Sequence, residues 1–310
     1  LISQEPYLHL RLYQNQQQYF IIAVLNKDID TDIGKRTMTF WKSGIRCAVV
    51  LSFDVDGESG MLQADPRNAE RLSVMSWARY GPKVGVPRIL DLLKQKQVQA
   101  SFFVPGYTAE LYPALIERIS AEGHEVGVHG YLHEKLSDLD PIQEEAALVR
   151  TISILQSITG RKPGGYRAPW WELNPGTPKL LASHGMLYDS SLMDDDRPYV
   201  LPTEAGDLAE LPIHWTNDDW EQFAFLADPP TGSGVIETCE KAFQLWKEEF
   251  DGQYHYGGMF VLTMHPEVIG RPARVLMLGR LIDYMRSHEG VWITTCESIA
   301  QHCLTAAAVS

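Results

Sequence analysis

From Ile45 onward the chain alternates short apolar runs of β type with longer stretches of helical spacing, and few folds accept that pattern. The β runs are "CAVVLSF", "VQASFFV", "HEVGV", "GGYR", "MLYDSS", "LAELPIHW", "GMFVLTM" and "VWITT". Helical patterns separate most of them. "DPIQEEAALVRTISILQSITG" offers Asp140 as N-cap, Pro141 at the first helical position and Gly160 as the stop. "TAELYPALIERISAEG" likewise closes on a glycine, and "VPRILDLLKQKQ" carries Pro87 near its start. Strands that alternate with helices build a parallel sheet, and this many units predict a closed or nearly closed α/β barrel in a single domain. Residues 1–43 read differently, with a Gln/Asn-rich stretch ("QNQQQ") and alternating acids ("KDIDTDIG"). They are expected to be an N-terminal extension, partly disordered or foreign to the fold, although "YFIIAVL" would suit a strand. The barrel is expected over residues 44–310.

Charge and cysteine usage narrow the partners. With 27 basic and 40 acidic residues the net charge is −13, so nothing supplies a phosphate-neutralising surface and nucleic acid is not an expected partner. No apolar run approaches membrane-spanning length, and the first residues lack the pattern of a secretory signal. The 4 cysteines show no CxxC spacing, which predicts reduced thiols and a cytoplasmic location. An acidic barrel with aromatic-rich loops is compatible with a homo-oligomer and equally with a monomer.

Barrels of this kind carry their chemistry at the C-terminal ends of the strands. Asp54 and Asp56 follow the first run, His129 and His133 follow "HEVGV", and Arg167, Trp170 and Trp171 follow "GGY". Asp218, Asp219 and Trp220 follow "LAELPIHW", and His265 follows "GMFVLTM". Asp54 and Asp56 project from one side if the strand continues, and two like charges so close require a cation, an arginine or a shared proton. A polar turn is the plainer alternative. The i, i+4 spacing of His129 and His133 would point both imidazoles the same way on a helical turn. With Asp56 they make a three-ligand set that leaves coordination positions open. Arg167 is expected to pair with one of the carboxylates. His265 suits a general acid kept protonated by Asp219. Trp41, Trp77, Trp246 and Trp292 read as core, and Trp170, Trp171 and Trp220 as pocket walls. The loop "MSWARYGPKVG" reads as a candidate lid.

These residues, in this order, resemble the polysaccharide deacetylase family (carbohydrate esterase family 4), whose fold is a distorted (β/α)7-8 barrel. "SFDVDG" is similar to the family's Thr-Phe-Asp-Asp-Gly, "HGYLH" to its His-Ser/Thr-x-x-His, "RAPW" to Arg-x-Pro-Tyr, "DDW" to its Asp-Trp motif and "TMHP" to Leu-x-His. The resemblance implies Asp54 as catalytic base, Asp56, His129 and His133 as metal ligands, and Arg167 as the group that orients the base. It implies His265 as general acid tuned by Asp219, and an oxyanion donor in the backbone N–H near Trp170. The cofactor so implied is a divalent metal, zinc first, with cobalt, nickel or manganese as alternatives. The departures are Val55 between the two aspartates, Gly130 for the hydroxyl residue, Trp170 for tyrosine and Thr263 for leucine. Together with "YGPKVGVPRILDLL" and "YDSSLMDDDRPY" they place the chain nearest the branch of deacetylase-like proteins, cyclic imide hydrolases and allantoinases. The expected activity is hydrolysis of a non-peptide C–N bond: N-deacetylation of an amino sugar, or opening of a small cyclic imide or ureide. A non-catalytic carbohydrate-binding relative is the remaining alternative.

Overall fold

A computed structural model of the protein describes residues 40–308. The expected extension, with its candidate strand, therefore lies almost wholly outside the described residues. Phe40 and Trp41 are within them, and Trp41 Nε1 donates to the Gly257 carbonyl at 2.9 Å while its ring packs among inward-facing barrel residues.

The strands are β1 (Cys47–Asp54), β2 (Ser101–Val104), β3 (Glu125–Val128), β4 (Gly165–Tyr166), β5 (Tyr188–Asp189), β6 (Tyr199–Thr203), β7 (Gly206–Glu210), β8 (Leu226–Ala227), β9 (Pro230–Thr231), β10 (Met259–Met264) and β11 (Val291–Thr294). All but β8 and β9 form one sheet, ordered β10-β1-β2-β3-β4-β5-β7-β6, with β11 also on β1. Every pairing in it is parallel except the β6–β7 hairpin. The sheet curls into a barrel whose seam lies between the β6–β7 end and β10. Across that seam the chain after β7 returns to β10 through a parallel bridge from Asp218 to Thr263.

β1 is buried along its whole length, as a strand covered on both faces must be, which explains its continuous apolar run. Val49, Leu51 and Phe53 face the outer helices. Ala48 and Val50 face the barrel interior, and the same alternation continues through Ser52 to Asp54. A carboxylate thus ends the inward row, at the mouth of the barrel.

The helix over Pro141–Thr159 has the expected cap: Asp140 accepts from the Ile142 and Gln143 N–H groups, and Gly160 terminates it at φ 72°. Two expectations change. The stretch 106–121 is two helices, Gly106–Leu111 and Pro113–Ala121, because Pro113 cannot donate to the preceding turn. The candidate lid is helical. Residues Leu72–Tyr80 and Val86–Lys96 are joined through a π-helical turn, Gly81–Gly85, which packs on the segment following His265.

Candidate active site

Asp54 is held by one buried cation. Arg167, wholly buried, donates from Nη1 to Asp54 Oδ1 at 3.0 Å and to Ser52 Oγ at 2.9 Å. Its other donors reach the Ser190 carbonyl and Ser190 Oγ, and its guanidinium lies 4.2 Å from the centre of the Phe103 ring. Burial pushes the Asp54 carboxyl up, but Arg167 foremost, with His129 and His265, outweighs it and holds Asp54 below the ordinary carboxylate value. Asp54 is therefore an oriented anion.

Behind Arg167 stands a second polar layer. Ser191 Oγ accepts the Ala168 N–H at 2.9 Å and donates to Asp189 Oδ1 at 2.9 Å. Asp189 and Glu210 are register partners of β5 and β7, and both are fully buried. Burial pushes Asp189 up to about 6 and Glu210 well above the usual carboxylate range, the state of two carboxyls sharing a proton. Glu210 Oε1 also accepts the Ser191 and Leu192 N–H groups, fixing the turn that carries the Ser190 acceptors.

Asp56, His129 and His133 converge, with donor atoms all within 4.8 Å of one another. His129 Nε2 is 3.5 Å from Asp56 Oδ1, and His133 Nε2 is 3.5 Å from Asp56 Oδ2. Those separations are long for hydrogen bonds. They match the spacing of about 3.4 Å between two donors that each sit about 2.1 Å from a tetrahedrally bound ion. His129 Nδ1 donates to the Arg167 carbonyl at 2.8 Å, which leaves Nε2 with its lone pair toward Asp56. Burial pushes His133 down to about 4 and lowers His129 too, so both imidazoles are neutral and able to ligate. Asp56 Oδ1 is buried without a hydrogen-bond partner among the described residues, a costly state that a cation would relieve. These residues fit a divalent metal ion.

The histidines reach this arrangement without a helix. They lie on a loop after β3 in which Gly130 (φ 65°) and His133 (φ 61°) take left-handed conformations. The helical turn expected from their spacing is thus replaced by a tight loop. Gly130 can hold that conformation cheaply. An added Cβ would also lie 2.9 Å from Pro169 Cγ.

Facing the set, His265 Nδ1 donates to Asp219 Oδ1 at 2.8 Å, and the His265 backbone N–H donates to the same oxygen at 2.9 Å. His265 Nε2 lies 3.9 Å from Asp56 Oδ2. Burial opposes the imidazolium, but the neighbouring aspartates outweigh it and raise His265 well above its ordinary value. Burial pushes Asp218 up to about 8 and raises Asp219 as well, and of the two it is Asp219 that holds His265 through two hydrogen bonds.

Of the three tryptophans expected as walls, Trp220 meets His265 edge-on at 4.9 Å, and Trp170, 48% exposed, meets His133 at 5.7 Å. Trp171 differs. It is buried in the barrel interior and stacks on Trp215 at 4.1 Å, so Trp215 presents the open face there. Ser52, Asp189, Ser190, Ser191, Glu210 and Trp215 were not singled out from the sequence. Asp189, Ser190 and Ser191 lie within "YDSSLMDDDRPY", a stretch that bears on the resemblance and not on this layer.

The polysaccharide deacetylase family profile matches residues 76–188. The peptidoglycan deacetylase of Helicobacter pylori is 33% identical over 273 residues, spanning 79% of this chain and 92% of that protein. A Mycobacterium smegmatis structure assigned as a polysaccharide deacetylase superposes with a TM-score of 0.84 at 46% identity, covering 86% of this chain and 93% of the other. The PuuE allantoinase superposes at 0.74 with 29% identity, covering 84% and 91%. A barrel with these relatives is a hydrolase of C–N bonds other than peptide bonds. The chain belongs to the polysaccharide deacetylase family.

Proposed function

We propose that the protein removes the N-acetyl group from an amino sugar within an oligosaccharide or polysaccharide, with Asp54 as base and His265 as acid. The observation that carries this is the meeting, at one barrel mouth, of an Arg167-held carboxylate, an Asp219-held imidazolium and the Asp56–His129–His133 donor set. The name of the Helicobacter pylori relative supports an amino-sugar polymer as substrate. Zinc suits two neutral imidazoles and one carboxylate.

When bound by Asp56, His129 and His133, such an ion supplies Lewis acidity toward the amide carbonyl and lowers the pKa of water to near neutrality. Asp54, kept anionic and fixed by Arg167, takes the proton of the attacking water. The backbone N–H of Trp170, whose φ of 62° marks a strained turn beside His133, stabilises the oxyanion. His265 gives its Nε2 proton to the departing nitrogen, because Nδ1 is committed to Asp219. Trp170 and Trp220 flank the reacting group, and exposed Trp215 offers a face on which a sugar ring stacks.

Elemental analysis of the wild type beside Asp56→Ala tests the metal assignment. About one zinc per chain, lost in the variant, supports it, and a wild type that binds no divalent ion overturns it. The likeness to an allantoinase supports a second reading, ring opening of a cyclic ureide. Acetate release from N-acetylglucosamine oligomers, set against allantoin consumption, separates the two.

A further inference from the structure

The aim of the Arg167 fork depends on one turn, residues 190–192, just past β5. The Ser190 carbonyl accepts from Arg167 Nε at 3.1 Å, and Ser190 Oγ accepts from Nη2 at 3.0 Å. The Ser190 hydroxyl is itself aimed. It donates to the Leu211 carbonyl at 2.9 Å and so turns a lone pair toward the guanidinium. Ser191 Oγ accepts the N–H of Ala168, the residue after Arg167, at 2.9 Å.

Glu210 holds that turn. Its Oε1 accepts the Ser191 N–H at 3.2 Å and the Leu192 N–H at 2.9 Å. Asp189 completes the anchor: Oδ1 accepts the Ser191 hydroxyl at 2.9 Å, and its carboxyl is hydrogen-bonded to that of Glu210. Two carboxyls make such a bond only with a proton between them. The place of the pair is costly. Leu208, two residues before Glu210 on the same face of β7, and Tyr166, the register partner of Asp189, belong to the apolar layer under the outer helices. Packing alone would be served as well or better there by apolar side chains. Apart from the bond to each other, the hydrogen bonds of both carboxyls go to residues 190–192.

We propose that Glu210, with Asp189, is a positioning residue for the Arg167–Asp54 pair: it sets the turn that aims the guanidinium, and the guanidinium aims the base. The inference rests on the deacetylase reading above, with Asp54 as base. Without the anchor the Ser190 acceptors shift and Asp54 loses its orientation. The tryptophans at the mouth stay in place, so turnover suffers and substrate affinity does not.

The test is steady-state acetate release from N-acetylglucosamine oligomers by zinc-loaded wild type, Glu210→Gln and Glu210→Met. Glu210→Gln keeps an oxygen for the two N–H groups and donates to Asp189, so its kcat should stay within about threefold of the wild type. Glu210→Met should lower kcat about thirtyfold, with KM within about twofold. A merely structural role is separated by a double-mutant cycle. Added to Arg167→Lys, Glu210→Met should cost a further factor of about three or less, because both changes act on the same carboxylate. Should Glu210→Met fail to fold, Ser191→Ala takes its place, with an expected fall in kcat of about tenfold and the same non-additivity. A Glu210→Met or substitute enzyme at wild-type kcat, or its full loss repeated on top of Arg167→Lys, overturns the positioning role. If the wild type releases acetate in that case, the deacetylase reading stands. A wild type that releases none overturns that reading and this inference with it.

Discussion

Arg167 reaches Asp54 at 3.0 Å with both side chains buried, so the carboxylate proposed as base is fixed by an ion pair shielded from solvent. Breaking a buried pair from one side leaves the other charge stranded, at a cost of about 3–5 kcal/mol. Arg167→Met is therefore expected to lower stability by about that amount. Arg167→Lys keeps the charge but loses the fork that also holds Ser52 and Ser190, and should cut kcat by about a hundredfold with little change in KM. Unfolding curves and steady-state kinetics on the two variants check this. An Arg167→Lys enzyme at wild-type kcat would mean that Asp54 needs no such positioning.

Asp189 gives a stability signature with a definite sign. Its folded pKa lies at about 6, above the ordinary 3.8, so the folded chain holds a proton that the unfolded chain releases between those values. The resulting stability is fully present below pH 3.8 and is lost as the pH rises through about 6. In Asp189→Asn that part of the pH dependence should disappear, so the stability difference between pH 4 and pH 7.5 narrows. Denaturant titrations at the two pH values measure it, and an unchanged difference would show that the Asp189–Glu210 pair does not share a proton.

Asp218 and Asp219 together favour the protonated form of His265, the residue proposed as general acid, and an acid must be protonated to act. The alkaline limb of kcat/KM should follow the His265 proton. In Asp219→Asn it is expected to move to lower pH by about one to two units, with residual activity at the acid end. A full pH–rate profile reads this directly. An alkaline limb that stays in place would assign it to another group.

Gly85 lies against the segment that follows His265, the residue proposed as acid. A Cβ built there would fall 2.1 Å from the Pro266 carbonyl oxygen, and Tyr80 and Arg88 already bond the Gly270 carbonyl nearby. Gly85→Ala must push residues 266–270 away, displacing His265 from Asp219. The expected effect is a fall in kcat of tenfold or more with modest change in KM. A Gly85→Ala enzyme with wild-type kcat would show that the π-helical turn does not position the acid.

Several of these relationships were readable from residues alone, and the reason is local. Asp54 and Asp56 sit where an apolar strand stops, and strand alternation carries Asp54 into the barrel mouth. The Asp140–Gly160 helix announces both of its ends. What escaped reading depends on pairing between elements too short to show a period. β4 and β5 have two residues each, so nothing in the sequence says that Asp189 meets Glu210 or that Ser190 meets Arg167. The spacing of His129 and His133 suggested a helical turn, whereas Gly130 lets a loop converge them. Trp171 is adjacent to Trp170 yet faces the interior, because both residues take positive φ and the chain turns sharply between strand end and helix. The place of "MSWARYGPKVG" after the first strand suggests a lid loop, whereas the stretch is helical and its glycines pack closely on the segment after His265.

Deacetylation with Asp54 as base is tested by one measurement: acetate released from N-acetylglucosamine oligomers by the metal-replete wild type and by Asp54→Asn. The wild type should release acetate and free amine one for one. Asp54→Asn should be slower by about 10³-fold, with its metal content and melting temperature close to those of the wild type. A wild type that releases no acetate, or an Asp54→Asn enzyme that turns over at the wild-type rate, would contradict it.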